Sequence, residues 1–226
     1  QTCALPISLR AEDRNKLVQI APGIDTDYFH PQDASALKET LGLANKKVIV
    51  SVGRLVKRKG QDQLIRALPR IKKEIPNAHL LLVGRGAYLN KLERLVDKYN
   101  VRESVTFTGR VQYKDLPRYI CVGDIFAMPA RDRLFGLEVE GLGIVYLEAS
   151  SCGLPVLVGD SGGAPDAVQD GITGSVVNGK RTRKIAREIV KILNGKPTAM
   201  GGVGREWALS YWTWNNWANR FQKLLD

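Results

Sequence analysis

Lys47-Val48-Ile49-Val50-Ser51-Val52-Gly53-Arg54-Leu55, running on through Lys57-Arg58-Lys59-Gly60 into Gln61-Asp62-Gln63-Leu64-Ile65, is the stretch that decides the fold. A short run rich in β-branched side chains stops at a glycine, a basic turn follows, and apolar residues then recur at Leu64, Ile65, Leu68 and Ile71. The hydrophobic period thus changes from that of a buried strand to that of an amphipathic helix. A strand with apolar side chains at nearly every position needs cover on both faces, which is the signature of a parallel sheet wrapped by crossover helices.

Outward from this stretch the same unit recurs. Apolar runs at residues 79–83, 105–107, 125–128, 155–158 and 175–177 join 47–52 as expected strands. Residues 61–73 and 87–99 carry apolar side chains at helical spacing, the second through Leu89, Leu92, Leu95 and Val96. Residues 144–152 and 182–193 read as further crossover helices, the last with a basic outer face that solvation would ordinarily explain. The alternation predicts an α/β fold, a Rossmann-like doubly wound parallel sheet.

Outside the sheet, Ala21-Pro22-Gly23-Ile24-Asp25 through Phe29-His30-Pro31 is rich in turn formers and reads as a linker. After Gly195 another break is expected, with Gly201, Gly202 and Gly204 close together. The tail carries Trp207, Trp212, Trp214 and Trp217, then Phe221 and Leu224. Aromatic rings bury large areas, so this tail is expected to dock on something.

Lysine and arginine number 34 against 23 acids, a net charge of +11 that favours anionic partners: nucleotide phosphates, acidic lipid or nucleic acid. Cys3, Cys121 and Cys152 are few and lack metal-ligand spacing, and with only His30 and His79 besides, no metal site is expected. No run approaches the roughly 20 apolar residues of a membrane-spanning helix. Gln1-Thr2-Cys3-Ala4-Leu5-Pro6-Ile7 resembles an in-frame translation of a sequencing adapter and is set aside from fold reasoning.

Four motifs carry chemistry. Gly53-Arg54-Leu55 with Lys59-Gly60 ends the first strand with a glycine that lets a ligand approach and with cations suited to a pyrophosphate. Gly84-Arg85-Gly86 follows the second strand, but Leu89 fills the third glycine position of a dinucleotide fingerprint, so a tight strand-to-helix turn is the expectation. Gly109-Arg110-Val111 is a similar turn, placed where its backbone could line a base pocket. The strongest signal is Glu138-Val139-Glu140-Gly141-Leu142-Gly143-Ile144-Val145-Tyr146-Leu147-Glu148-Ala149. Glu140 on a glycine-rich loop and Glu148 inside the following helix could both face a ligand rich in hydroxyls, such as a sugar nucleotide.

In order along residues 20–226, the set Gly53-Arg54-Leu55, Lys59-Gly60, Gly109-Arg110, Glu140-Gly141-Leu142-Gly143 to Glu148-Ala149, Gly153-Leu154-Pro155-Val156 and Gly162-Gly163 to Gly171-Ile172-Thr173-Gly174 resembles glycosyltransferase family 4. The wording around Arg131-Asp132-Arg133 and Gly159 to Val168 is most similar to actinobacterial mannosyltransferases that extend phosphatidylinositol mannosides from GDP-mannose. The resemblance implies the C-terminal, donor-binding half of a retaining GT-B enzyme that uses no metal. It implies that Arg54 and Lys59 hold the donor pyrophosphate and that Glu140 hydrogen-bonds hexose hydroxyls, these three forming the catalytic set. Glu148 would take the ribose hydroxyls, the backbone of Gly143, Ile144 and Val145 would face sugar and phosphates, Val111, beside Arg110, would contact the base, and Gly53 and Arg110 complete the donor-binding set.

On this reading residues 1–31 are an adapter scar with the remnant of an N-terminal domain and linker. Residues 32–200 form the nucleotide-sugar-binding domain, and 201–226 a tryptophan-rich C-terminal helix that packs back toward the N-terminal domain. The family's acceptor site and catalytic histidine have no counterpart here, so the chain is expected to be an N-terminally truncated fragment, inactive alone. The whole enzyme would work at the cytoplasmic face of the plasma membrane, as a peripheral protein meeting a lipid-linked acceptor through the missing domain, with an anionic membrane surface as a further partner. A UDP-sugar enzyme with a soluble acceptor remains an alternative, because nothing in the base pocket separates guanine from uracil. A non-catalytic nucleotide- or nucleic-acid-binding module is permitted by the charge, but aromatic residues are not interleaved with basic ones, so no nucleic acid is expected.

Overall fold

The structure, a computed structural model, describes residue 18 and residues 20–225; the adapter-like segment and Cys3 lie outside the described residues. In chain order the elements are α1 (Ser35–Thr40), β1 (Lys47–Val52), α2 (Gln61–Glu74), β2 (Ala78–Val83), α3 (Leu89–Lys98), β3 (Val105–Gly109), α4 (Leu116–Cys121), β4 (Ile125–Met128), α5 (Ile144–Ser151), β5 (Val156–Gly159), β6 (Gly174–Val177), α6 (Thr182–Asn194), α7 (Pro197–Tyr211) and α8 (Trp214–Gln222). The strands make one sheet ordered β3-β2-β1-β4-β5-β6, every pair parallel. The expected strands and crossover helices are present, with 47–52 and 125–128 matching at both ends and the others displaced at their ends by at most two residues.

Alternation along the strands divides the core. Val48, Val50, Phe126, Met128, Val156 and Val158 face α4, α5 and α7, whereas Ile49, Leu80, Leu82, Ile125, Ala127 and Leu157 face α2, α3 and α6. Strands covered on both faces have no polar side to offer water, hence their continuous apolar runs. The order places β1 and β4 side by side although they are far apart in sequence, and the chain winds outward from them in opposite directions. At such a switch point the loops leaving the two strands part and open a crevice at their carboxyl ends.

The glycine cluster expected as a break is instead part of one helix, α7. Close packing is the reason. A Cβ on Gly201 would stand 1.9 Å from the Gly153 carbonyl oxygen, and Gly204 lies over Ser150 and Thr173. The glycines let α7 settle on α5, and this contact outweighs their low helix propensity. The stretch read as a linker is tied down: the Ile24 N–H donates to the Trp212 carbonyl at 2.7 Å, and Phe29 is buried. Trp212 is buried and Trp207 partly so, whereas Trp214 and Phe221 on α8 are 50% and 42% exposed. The tryptophan tail therefore docks by its first half only.

Candidate functional site

The loops leaving β1 and β2 are pressed together. Gly53 (φ +146°) donates to the Val83 carbonyl at 2.9 Å, and a Cβ on Gly84 (φ +135°) would meet the Gly53 carbonyl oxygen at 2.1 Å. Gly84-Arg85-Gly86 is thus a tight turn whose glycines serve backbone packing, as expected. After Gly53 the chain forms a single 3-10 turn at Lys57–Lys59, closed by Gly60 with φ +80° against the Pro129 carbonyl. Here a side chain would be excluded twice over, by the left-handed backbone and by a 2.1 Å contact. The turn is also gripped from β4: the Arg131 N–H donates to the Arg58 carbonyl at 2.9 Å, and the buried Arg131 guanidinium binds both oxygens of Asp62 on α2 at 2.8 and 2.9 Å.

Glu140 is positioned with equal care. Its N–H donates to Ser161 Oγ at 2.9 Å, Ser161 in turn donates to Asp132 at 2.6 Å, and its carbonyl accepts from the Gly163 N–H at 3.2 Å. The side chain, 6% exposed, receives Arg58 Nη1 at 2.5 Å and Lys59 Nζ at 2.7 Å. Burial first depresses the Lys59 ammonium below the usual lysine range; the Glu140 carboxylate opposes this, and Arg58 and Arg54 reinforce it. Two cations and one acid are held beside the β1/β4 crevice, with the Arg54 charge close by.

Gly143 (φ +72°) turns the chain into α5, where a Cβ would strike the Tyr146 ring at 2.4 Å. Tyr146 is wholly buried and donates to the Met128 carbonyl at 2.7 Å, which fixes the start of α5 at the end of β4. Glu148 lies one turn further along. Burial pushes its carboxyl up to about 7, so near neutral pH it is poised between its two forms.

One cavity of about 530 Å³ collects these groups. Gly53 and Lys59 line it from β1, Glu140 from the glycine loop, and Gly143, Ile144, Val145 and Glu148 from α5. Val52, Leu142 and Pro22 complete the wall. Of the residues expected from sequence, Arg54 is exposed and outside the lining, though near enough to act on Lys59. Arg110 is exposed, Val111 packs against the core, and neither lines the cavity. They precede Tyr113, whose phenol is raised by burial and then by the charge of Glu148, so this turn lies within electrostatic reach of the α5 wall. Arg58 belongs to the basic run that the sequence marks as suited to a pyrophosphate, without being singled out there as Lys59 is. Pro22, Leu142, Ser161 and Asp132 carry no site assignment from sequence. Pro22 reaches the cavity only through tertiary packing and left no local signal. Among the described residues no three His, Cys, Asp or Glu side chains gather as a metal site requires, and no helix is long and apolar enough to cross a membrane.

Residues 33–203 match the sequence profile of the family described as glycosyl transferases group 1. The chain is 47% identical over 214 residues to a Mycolicibacterium smegmatis protein named GDP-mannose-dependent alpha-(1-6)-phosphatidylinositol monomannoside mannosyltransferase, covering 93% of this chain and 56% of that one. It is 42% identical to a Corynebacterium glutamicum protein named for the monoacylated form of the same acceptor, covering 90% and 54%. The chain therefore spans about half the length of these curated relatives. The crystal structure of Anabaena Alr3699/HepE in complex with UDP and glucose superposes with a TM-score of 0.83 at 24% identity, covering 94% of this chain and 57% of that one, which shows that the chain has the α/β fold of the matching half of a GT-B structure.

Proposed function

This chain belongs to the glycosyl transferases group 1 family, and we propose that it is the donor-binding half of a retaining hexosyltransferase that uses a nucleotide sugar, GDP-mannose in the first instance. One observation carries the reading: Lys59 and Glu140, joined at 2.7 Å, share a cavity with Glu148 and the first turn of α5 at the β1/β4 switch point. Cations, a carboxylate pair and free helix N–H groups are together what a diphosphate esterified to a sugar requires.

In this assignment Arg54 and Lys59 hold the pyrophosphate and offset the charge that develops on the departing nucleoside diphosphate, the kind of fixed electrostatic stabilisation that dominates many enzymes. Arg58 joins them through Glu140. Glu140 accepts from hexose hydroxyls, Glu148 from the ribose diol, and the backbone of Gly53, Gly143, Ile144 and Val145 lies against phosphates and sugar. Arg110 and Val111 approach the base. The acceptor hydroxyl attacks on the face the leaving group departs from and passes its proton to a donor phosphate oxygen. Retention by this route needs no nucleophilic side chain. The names of the mannosyltransferase relatives support GDP-mannose as donor and a phosphatidylinositol mannoside as acceptor, with the enzyme peripheral at the inner membrane face. For these 226 residues by themselves the proposal is donor binding.

Thermal-shift titration with GDP and UDP tests it, since a ligand that binds only the folded state raises its stability. GDP should stabilise more than UDP; the reverse order moves the donor to a uridine nucleotide. Lys59→Ala and Glu148→Ala each remove a charge-assisted contact worth about 1.5–3 kcal/mol, so GDP affinity should fall roughly tenfold or more. Unchanged affinity in both folded variants refutes the site.

A further inference from the structure

The carboxyl end of the sheet also carries charge and apolar surface that donor binding does not use. α6 begins one tight loop after β6, and Arg181, Arg183, Lys184 and Arg187 border a shallow cavity around its first turns. Its inner side, through Ile185, Ala186, Ile189 and Ile192, is buried. The one acid on the helix, Glu188, is engaged by Arg187 at 3.5 Å and Lys191 at 3.9 Å. Among the described residues Arg181, Arg183 and Lys184 meet no carboxylate at ion-pairing distance.

Beside it, the loop after β4 rises as a narrow hairpin. Arg133 and Glu138 exchange backbone hydrogen bonds of 2.9 and 3.1 Å, and their side chains pair at 2.6 Å. At the tip Leu134, Phe135 and Leu137 are 56%, 110% and 87% exposed. Leu134 and Phe135 hold φ +50° and +56°, a left-handed backbone that bulky residues avoid. Water gives no reason to display three large apolar side chains on a strained turn.

The two features share a foundation. A Cβ on Gly179, in the loop entering α6, would stand 2.3 Å from the Ala130 carbonyl at the foot of the hairpin. Both are also tied to the first turn of α2, α6 by the Thr182–Gln63 hydrogen bond and the hairpin by the Arg131–Asp62 pair. Nucleic acid would use the cations and leave the aliphatic tip unexplained; a purely apolar partner would leave the cations unexplained. An anionic bilayer uses both, taking the apolar tip below its headgroups while the guanidinium and ammonium groups stay among the phosphates.

We infer that this end of the molecule is a docking surface for an anionic phospholipid bilayer, with Leu134, Phe135 and Leu137 inserted and Arg181, Arg183 and Lys184 at the headgroups. It rests on the proposed reading of a peripheral enzyme at the membrane face and names the surface that docks, whatever the identity of the donor. The test is sedimentation with vesicles of pure phosphatidylcholine and of phosphatidylcholine containing one third phosphatidylglycerol. The chain should bind only the anionic vesicles, and high salt should release it in large part. A basic side chain near an anionic surface is worth about fivefold in partitioning, from about 1 kcal/mol each, so replacing Arg181, Arg183 and Lys184 together by alanine should weaken binding at least tenfold. Phe135→Ser combined with Leu137→Ser should abolish the salt-resistant remainder. Both variants should melt as the wild type does and keep its response to GDP, which separates failure here from failure of the donor site. Equal binding to neutral vesicles, full binding by either variant, or tighter binding to a DNA duplex than to anionic vesicles overturns the inference.

Discussion

Replacing Glu148 by glutamine separates what this residue does for binding from what it costs the fold. Its carboxyl has an ordinary value of 4.5 and is pushed by burial to about 7. For an acid raised in the folded state, the unfolded chain releases its proton first as pH rises. Stability is therefore whole below about 4.5 and declines until pH passes about 7. At about 1.36 kcal/mol per pH unit of separation, the full loss has an upper bound of ~3 kcal/mol. Residual solvent contact reduces this to about 1–2 kcal/mol. Glutamine keeps the shape and never ionises, so Glu148→Gln should melt above the wild type at about pH 8, by several degrees at ~2–4 °C per kcal/mol. The advantage should shrink toward zero at about pH 5, where the wild-type carboxyl is protonated. Melting curves at both pH values, with and without saturating GDP, make the measurement. GDP should restore the lead to the wild type at the higher pH. A difference between the two proteins that does not change with pH would refute the assignment of a buried, titrating carboxyl to this position.

If Glu148 takes the ribose diol as proposed, GDP affinity read by calorimetry should rise about tenfold between about pH 6 and pH 8, because only the carboxylate accepts both hydroxyls and its ionised fraction grows by that factor. A flat profile would remove Glu148 from the binding surface. In α7, Gly201→Ala should destabilise by about 1–3 kcal/mol, since its methyl would meet the Gly153 backbone at 1.9 Å. Gly202→Ala has open space and should raise the melting temperature by gaining about 1 kcal/mol of helix propensity; thermal denaturation of the pair distinguishes packing from flexibility. Arg131→Ala strands the buried Asp62 carboxylate and should cost about 3–5 kcal/mol in urea unfolding, while Arg131→Met with Asp62→Leu should recover most of it.

Strands β1 to β6 and the four crossover helices between and after them were legible because their periods are set by burial, and burial writes itself into every second or every third and fourth residue. The glycines of α7 were misread for a reason equally physical. A glycine that marks a turn and one that admits a neighbouring backbone look alike in sequence, and only the approach of Gly153 and Leu154 to Gly201 tells them apart. Lys59 beside Gly60 and Glu140 beside Gly141 stand out in the sequence as candidates, and the structure brings both with Glu148 of α5 to one cavity. Arg58 does not stand out, since a basic run does not reveal which of its members turns inward. α1 and α4, each of six residues, are too short to display a period.

The pairing of Glu140 with Lys59 and Arg58 bears on how binding and stability share one site. A lysine at 11% exposure requires an anion, and a glutamate at 6% requires a cation. In the unliganded chain each meets the other's need, so the crevice keeps its charges without distorting the fold. An ammonium has three donors, however, and a carboxylate has lone pairs to spare. On the proposed reading a diphosphate approaching Lys59 adds a second acceptor instead of displacing the first, and hydroxyls approaching Glu140 donate to oxygens already oriented by Ser161 and Gly163 through the backbone. The ion pair then survives in the complex, and its geometry is fixed before the ligand arrives. Binding under these conditions orders few side chains, so donor affinity should track the charge count at the crevice more closely than the flexibility of its loops.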